Sequence, residues 1–217
     1  MTIRVLIADD QGIVRAGLST ILNGQPDIEV VGQAPDGREA VALARQLRPD
    51  VCLFDIRMPH LDGIEATRLL AGPHVTEPIA VVVITTFDTD EYIHGALKAG
   101  ARGFLLKGTE PDQLIRAIHA AVQGDALIDP GVTRRLLATF STNVPATPPS
   151  QPIDALTQRE EDVLRTVARG RTNAEIAEEL HISMSTVKFH LASLMTKLGA
   201  RNRVELAMWA YETKRVK

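Results

Sequence analysis

Carboxylate, hydroxyl and amino side chains directly follow four of five short apolar runs in the first half of the sequence. Asp9 and Asp10 follow the first run, Asp55 the third, Thr85 the fourth and Lys107 the fifth. If these runs are strands of one open parallel sheet, their carboxyl ends share an edge, which is where ligands bind in such sheets. The five side chains are therefore candidates for a single site.

Phosphoryl chemistry is the reaction that suits this set. Crowded carboxylates disfavour one another's ionisation unless a positive charge is near, and Mg²⁺ supplies that charge while keeping waters and phosphate oxygens as further ligands. A carboxylate can also attack phosphorus and form an acyl phosphate. In this interpretation Asp9 and Asp10 hold Mg²⁺, Asp55 is the nucleophile, and Thr85 and Lys107 contact the remaining phosphoryl oxygens.

Each residue alone also has an ordinary structural explanation. An aspartate between a strand and a helix often caps the helix, Thr85 is a β-branched residue suited to a strand, and Lys107 alone suits a solvent-exposed surface. Chance does not readily place such residues after four runs out of five, so their conjunction favours a site.

The elements that must position these residues lie in the first 123 residues. Apolar runs alternate there with segments whose apolar residues recur three and four positions apart, a pattern typical of a parallel α/β sheet with helices on both faces. A last helix is predicted from Pro111 to about Gln123. The predicted strands are 3–8, 28–32, 51–54, 79–84 and 103–106.

A proline-rich segment divides the chain. Residues 141–152 contain four prolines and no charged residue, which is linker composition. We predict a first domain at 1–123, a linker at 124–152 and a second domain at 153–217, with 124–140 ambiguous between a short helix and linker.

Composition limits the class of protein. The chain has 45% apolar and 24% charged residues, as ordinary soluble proteins do. Its one cysteine, Cys52, excludes an intramolecular disulfide and favours the cytoplasm. The longest apolar run, "IAVVVI", is far shorter than the roughly 20 residues of a membrane helix. The net charge of the chain is −3. Residues 153–217 alone have 11 Lys and Arg against 9 Asp and Glu, so this part carries a net charge of +2.

The second domain has the pattern of a small all-α unit with a helix-turn-helix. Four helices are predicted at about 158–169, 173–180, 184–198 and 203–214. The third helix would enter the major groove of DNA, with Lys188 donating to guanine and Phe189 and Ala192 touching thymine methyl groups. Ser185 lies on the same face. Residues suited to phosphate contacts are Ser183, Thr186, His190 and Arg203. A helical protein-interaction module, with Phe189 packed inside the domain or on a partner, is the alternative.

The first domain closely resembles the receiver domain of two-component response regulators. The words "LIADDQ", "LFDIRMPHLDG", "VITTF" and "AGARGFLLKG" carry the likeness over residues 3–123. It implies a doubly wound, flavodoxin-like sheet of five parallel strands in the order 2-1-3-4-5. It also implies phosphorylation of Asp55 and an Mg²⁺ ion, with an aromatic switch at Phe104, where many receivers have tyrosine. The implied metal ligands are Asp9, Asp10, Asp55 and the backbone carbonyl of Arg57, and the implied phosphoryl contacts are Thr85 and Lys107.

The segment 155–210 resembles the LuxR-type helix-turn-helix domain, through "LTQRE", "NAEIAEEL", "STVKFH" and "KLGARNRVEL". Together the two resemblances indicate the NarL/FixJ subfamily of response regulators. Ala192 departs from the family pattern, which often has a second polar or basic residue there, so direct base contacts are expected to be fewer.

The function implied is transcription control by phosphorylation. The implied partners are a sensor histidine kinase, double-stranded promoter DNA and a second copy of the chain, with RNA polymerase as a further candidate and no membrane partner. The enzyme alternative is a metal-dependent phosphohydrolase with an aspartyl nucleophile, although such enzymes usually carry D-x-D after the first strand. A regulator that works without phosphorylation is the other alternative.

Overall fold

The computed structural model describes residues 2–87, 89–125, 127–128, 155–200, 202–213 and 215. These residues form two compact units. Most of the predicted linker, at 129–152, lies outside the described residues. Within the described residues, no helix combines the length and apolar character needed to cross a membrane.

A parallel sheet forms the centre of the first unit, in the strand order β2-β1-β3-β4-β5-β6. This order confirms the predicted fold and adds a sixth strand, which pairs with β5. The sixth strand has only two residues and falls in the segment that the sequence left ambiguous. The strands are β1 (Ile3–Ala8), β2 (Ile28–Ala34), β3 (Val51–Phe54), β4 (Ala80–Thr85), β5 (Gly103–Leu106) and β6 (Leu127–Ile128).

Helices cover both faces of this sheet because alternate strand residues point to opposite sides. On one face Ile7 and Leu53 pack with residues of α1 and α5. On the other face Cys52 and Phe54 pack with residues of α2 and α3. The helices are α1 (Gly12–Asn23), α2 (Gly37–Leu47), α3 (Gly63–Ala71), α4 (Asp90–Ala99) and α5 (Pro111–Gln123).

Two aspartates of this unit are ordinary helix caps. The Asp36 carboxylate accepts from the backbone N–H groups of Arg38 and Glu39 at the start of α2. The Asp62 carboxylate accepts from Glu65 N–H at the start of α3. These bonds satisfy N–H groups that the helix leaves without partners.

The described residues of the second unit form four helices, as predicted, with ends that lie within two residues of the prediction. They are α6 (Gln158–Ala168), α7 (Asn173–Glu179), α8 (Met184–Leu198) and α9 (Arg203–Glu212). The predicted apolar stripe of α8 is buried, because Val187, Leu191, Leu194 and Leu198 all belong to the core of this unit. The opposite side of α8 is thereby fixed as a surface.

A buried carboxylate joins α6 to α8. Glu160 is 4% exposed. Its Oε1 accepts from Ser193 Oγ at 2.7 Å, and its Oε2 accepts from Lys197 Nζ at 2.9 Å and from Thr157 N at 2.7 Å. Burial alone would raise the pKa of Glu160, but the hydrogen bonds from Ser193, Lys197 and Thr157 outweigh it and lower the pKa to about 2. The ionised carboxylate therefore links α6 to α8 through these hydrogen bonds.

Replacing this carboxylate by an amide tests its contribution. We expect Glu160→Gln to lower the free energy of unfolding of the second unit by about 1–3 kcal/mol at pH 7, since an amide cannot pair with the Lys197 ammonium. The depressed pKa contributes stability above the unfolded-state pKa near 4.3, and this is lost as the pH falls from there towards 2. Urea unfolding of the full chain, followed by the fluorescence of Trp209, should show the full difference at pH 7 and only part of it at pH 3. Glu178→Gln, at an exposed position on α7, is the control. Equal effects of the two variants at pH 7 would contradict this account of Glu160.

Candidate functional site

The ends of β1, β3 and β5 bring four of the five predicted residues together at one edge of the sheet. Lys107 Nζ lies 2.7 Å from Asp9 Oδ2 and 2.7 Å from Asp55 Oδ2. Asp9, Asp10 and Asp55 each offer a carboxylate oxygen, and these oxygens lie within 4.8 Å of one another. The structure therefore brings Asp9, Asp10, Asp55 and Lys107 together, as the sequence predicts.

Backbone contacts fix the two buried carboxylates. Asp55 N–H donates to the Ala8 carbonyl at 2.8 Å, which continues the β1–β3 pairing by one residue. Asp55 Oδ1 accepts from Ile56 N–H at 2.7 Å, and Asp9 Oδ1 accepts from Gln11 N–H at 2.9 Å. Each carboxylate thus keeps its Oδ2 for the lysine. Neither of them serves as the cap of a helix in the way Asp36 and Asp62 do.

Lys107 supplies the positive charge that the carboxylates need. Asp9 is fully buried and Asp55 is 2% exposed. Desolvation is the largest influence on Lys107 and lowers its pKa, but the hydrogen bonds to Asp55 and Asp9 and their negative charges together raise the pKa above its ordinary value. The side chain is therefore an ammonium ion, and its single charge pairs with two carboxylates, Asp9 and Asp55.

The donor set fits a hard divalent cation. Three carboxylates that share one ammonium leave an excess of negative charge, and oxygen ligands are those that Mg²⁺ prefers. Asp10 is exposed and lines an open cleft of about 490 Å³ together with Arg57 and Asp62. Arg57, whose carbonyl was expected as a ligand, therefore lies at the rim of the same cleft.

Gly63 was missed by sequence reasoning, and it shapes the loop beyond Asp55. A Cβ atom on Gly63 would lie 1.9 Å from the Asp55 carbonyl oxygen. The close approach allows Gly63 N–H to donate to the Ile56 carbonyl at 2.8 Å. The sequence offered one signal for this role: Gly63 stands at the first position of a helix, although glycine is a poor helix former.

Thr85 is the last residue of β4, and Phe104 lies in β5. Both side chains are fully buried. Thr85 Oγ1 accepts from Phe87 N–H at 3.2 Å. The Phe104 ring is among the largest side chains with no exposure, so it already points inward and is held by packing.

Arg57 extends its side chain onto two aromatic rings, which the sequence did not indicate. Its guanidinium carbon lies 3.9 Å from the centroid of Phe87 and 5.7 Å from that of Tyr92. Its Nη2 and Nε donate to Tyr92 Oη at 3.1 and 3.3 Å. The three residues come from three different segments, so only the fold brings them together.

The surface of α8 is the second candidate site. Lys188, Phe189 and Ala192 are exposed on its free face, and Phe189 is 69% exposed. Phe189 therefore does not pack inside the second unit. Its only described ring neighbour in the structure is His190, which is partly buried, at 5.6 Å between centroids.

The start of α8 carries a cluster of hydroxyl groups. Ser183 caps the helix by accepting from Thr186 N–H at 3.1 Å. Its Oγ also lies 2.7 Å from Ser185 Oγ and 2.8 Å from Thr186 Oγ1. These polar groups and the positive end of the helix dipole form a surface suited to a phosphate.

Arg203 is not placed as the sequence suggested for a phosphate contact. Its side chain is 8% exposed. Its Nη1 donates to Asn173 Oδ1 at 3.0 Å, and its Nη2 donates to the Arg171 carbonyl. The guanidinium therefore ties the start of α9 to the start of α7, because it satisfies groups of its own domain.

Comparison with known protein families decides the class of the chain. Residues 5–119 match the response regulator receiver domain, and residues 154–210 match the bacterial regulatory proteins of the luxR family. The chain is a response regulator with a LuxR-type domain. It is thus a two-component, DNA-binding transcription regulator, and neither alternative function is favoured by these matches.

Similar proteins span nearly the whole response regulator. The uncharacterized transcriptional regulatory protein YxjL of Bacillus subtilis is 40% identical over 96% of this chain and 94% of its own length. The nitrate/nitrite response regulator NarL of Escherichia coli is 35% identical over 96% and 94%. Among solved structures, the response regulator ChrA of a heme-sensing two-component system is 36% identical over 99% of both chains, with a TM-score of 0.54. RcsB in a complex with DNA is 26% identical over 98% and 99%, with a TM-score of 0.57.

Replacing Lys107 of this response regulator tests whether the buried carboxylates require its positive charge. In Lys107→Met, Asp9 and Asp55 lose their ammonium, and we expect a loss of about 3–5 kcal/mol in receiver stability without divalent cations. MgCl₂ should recover more stability in the variant than in the natural protein, because the metal then binds without a competing ammonium. Calorimetric unfolding of the full chain with and without MgCl₂ measures this. The exposed Arg45→Met is the control, and equal Mg²⁺ effects in all three proteins would contradict the expectation.

Proposed function

We propose that Asp55 accepts a phosphoryl group from a sensor histidine kinase and that this modification controls the binding of α8 to promoter DNA. The observation that carries the proposal is the meeting of buried Asp55 with Asp9, Asp10 and Lys107 at one sheet edge. An aspartate used only as a helix cap would have no need of this surrounding charge.

In the proposed transfer, one carboxylate oxygen of Asp55 attacks the phosphorus of a phosphohistidine. The new O–P bond forms as the N–P bond breaks, and the electron pair of that bond returns to the imidazole ring of the kinase. The product is an acyl phosphate. Lys107, whose Nζ lies 2.7 Å from Asp55 Oδ2, is proposed to pair with a phosphoryl oxygen.

Asp9, Asp10, Asp55 and the Arg57 carbonyl are the proposed ligands of Mg²⁺. When bound, the ion would offset the negative charge that gathers on the phosphoryl oxygens. Asp9 and Asp55 keep fixed orientations for this purpose through their bonds to Gln11 and Ile56. No enzymatic turnover of a separate substrate is part of the proposal.

The switch is proposed to begin with charge. A phosphoryl group brings about −1.5 to −2 charges to the site. The Thr85 hydroxyl would leave Phe87 N–H and turn to a phosphoryl oxygen. Phe104 is already inside the receiver, so its part is to fill the space that Thr85 vacates. The face formed by α4, β5 and α5 would change as a consequence.

The proposed DNA surface is the free face of α8. Lys188 would donate to guanine, while Phe189 and Ala192 would contact thymine methyl groups. Ser183, Ser185, Thr186 and His190 are the proposed phosphate contacts. The family and the DNA complex of the similar RcsB support this assignment. DNA and the kinase's phosphohistidine are both cytoplasmic, which is the proposed location.

Dimerisation is part of the proposal, because one small domain with few base contacts binds DNA weakly. Two copies would occupy half-sites about 10 base pairs apart, or a multiple of that, to lie on one side of the duplex. Contact with RNA polymerase would follow at the promoter.

Conversion of the acceptor to an amide tests the phosphorylation site. Asp55→Asn is expected to abolish phosphorylation by acetyl phosphate and Mg²⁺, since an amide oxygen is a poor nucleophile. Intact-protein mass spectrometry counts the phosphoryl groups, and Asp112→Asn, at an exposed position of α5, is the control. Stoichiometric phosphorylation of Asp55→Asn would sink the assignment.

Base recognition is tested on DNA selected from a random duplex library. Lys188→Met should weaken binding to the selected site by about 1–3 kcal/mol and relax the preference at one base pair. Ser183→Ala should instead weaken binding to all sequences alike. Fluorescence polarisation at fixed salt measures both, with the exposed Arg165→Met of α6 as the control. Unchanged sequence specificity in Lys188→Met would contradict the proposed base contact of Lys188.

A further inference from the structure

The side chain of Arg57 packs on the rings of Phe87 and Tyr92, close to the carboxylate cluster. Arg57 follows Asp55 by two residues, is exposed, and lines the cleft that Asp10 also lines. Its guanidinium nevertheless packs on Phe87 and donates twice to Tyr92 Oη. Lys107, not Arg57, pairs with the carboxylates in this state.

The two aromatic partners belong to elements that the switch must move. Phe87 lies in the β4–α4 loop, and its own N–H donates to Thr85 Oγ1. Tyr92 lies in the first turn of α4, and its ring meets that of Phe87 edge-on, with centroids 6.2 Å apart. Arg57 therefore fastens the loop after Asp55 to the loop after Thr85 and to α4.

A phosphoryl group on Asp55 would compete for this guanidinium. Exposed cation–π contacts and bonds to a neutral hydroxyl are weaker than charge-assisted hydrogen bonds to a phosphate oxygen. Arginine also matches phosphate through paired N–H donors. The more favourable partner for Arg57 thus changes when the charge at Asp55 increases.

We propose that Arg57 is a positioning residue that passes from Phe87 and Tyr92 to the phosphoryl group on Asp55, and so releases α4 when the receiver is phosphorylated. This rests on the proposed role of Asp55. The release of the Phe87 ring and the turn of the Thr85 hydroxyl away from Phe87 N–H then belong to one rearrangement of the β4–α4 loop.

Two substitutions with opposite expected effects test the transfer. The probe is the binding of beryllofluoride with Mg²⁺ to the full chain, measured by calorimetric titration. Arg57→Met keeps a long side chain over Phe87 but lacks the charge, and should lower the affinity about three- to tenfold. Tyr92→Phe removes only the acceptor that holds Arg57 in the resting state, and should raise the affinity about twofold. Arg57→Lys should keep most of the affinity, and Arg45→Met should leave it unchanged.

A spectroscopic signal follows the release directly. Tyr92 and Tyr211 are the two tyrosines of the chain, so a protein with ¹³C-labelled tyrosine rings gives two sets of signals, which Tyr211→Phe assigns. Beryllofluoride should shift the Tyr92 signals of the natural protein towards their position in free Arg57→Met. In Arg57→Met itself, the same addition should shift them much less.

The outcomes separate this proposal from the one on which it depends. If the natural protein does not bind beryllofluoride, or if Asp55→Asn binds it as well, both proposals are overturned. If the natural protein binds and Arg57→Met binds equally well, or if both variants lose affinity together, only the transfer of Arg57 is overturned. A loss in both variants would mean that the three residues merely support the fold.

Discussion

The ion pairs of Lys107 with Asp9 and Asp55 are the constraint on which the receiver depends. Burying two carboxylates is costly unless a cation accompanies them, and here the cation arrives from β5 while the carboxylates arrive from β1 and β3. Three strands must therefore end at matching levels for the charges to meet. The sheet order and register are the means by which a chain with these residues far apart in sequence brings them together.

The two functional surfaces are built by opposite physical strategies. At the receiver edge, charges are buried, paired and held by backbone N–H groups, so a change in charge disturbs many contacts together. On α8 the side chains of the free face, such as Lys188 and Phe189, are exposed, and their positions follow from the buried stripe on the other side of the helix. A rigid, desolvated acceptor site and an open helix surface suit the proposed function, in which one small group is detected before DNA is bound.

Local sequence patterns predicted most of the fold and most residues of the receiver site. The strands could be located because buried parallel strands are continuous apolar runs, and Asp9, Asp55 and Lys107 could be associated because parallel strands share a carboxyl edge. Gly63 and the partners of Arg57 could not be found in this way. Their roles depend on atoms that approach from other segments, and no spacing in the sequence reports such an approach.

Arg203 illustrates the same limit of prediction from sequence, because its role depends on contacts with a distant segment. A basic residue at the start of a helix has the same appearance in sequence whether it meets a phosphate or a side chain of its own domain. The positions of the Asn173 side chain and the Arg171 carbonyl decide between the two, and the fold sets both. Short β6, likewise, has too few residues to show any periodicity.

The pairing of β6 has a consequence for assembly. Leu127 and Ile128 pair with Gly103 and Phe104, so they cover the first half of what would otherwise be the open edge of β5. Open edges recruit strands from other chains. A foreign strand that joined this sheet at β5 would first have to peel away the two residues of β6. The chain thus shields the strand that bears Phe104 with its own next segment, and association through sheet extension at that edge is disfavoured.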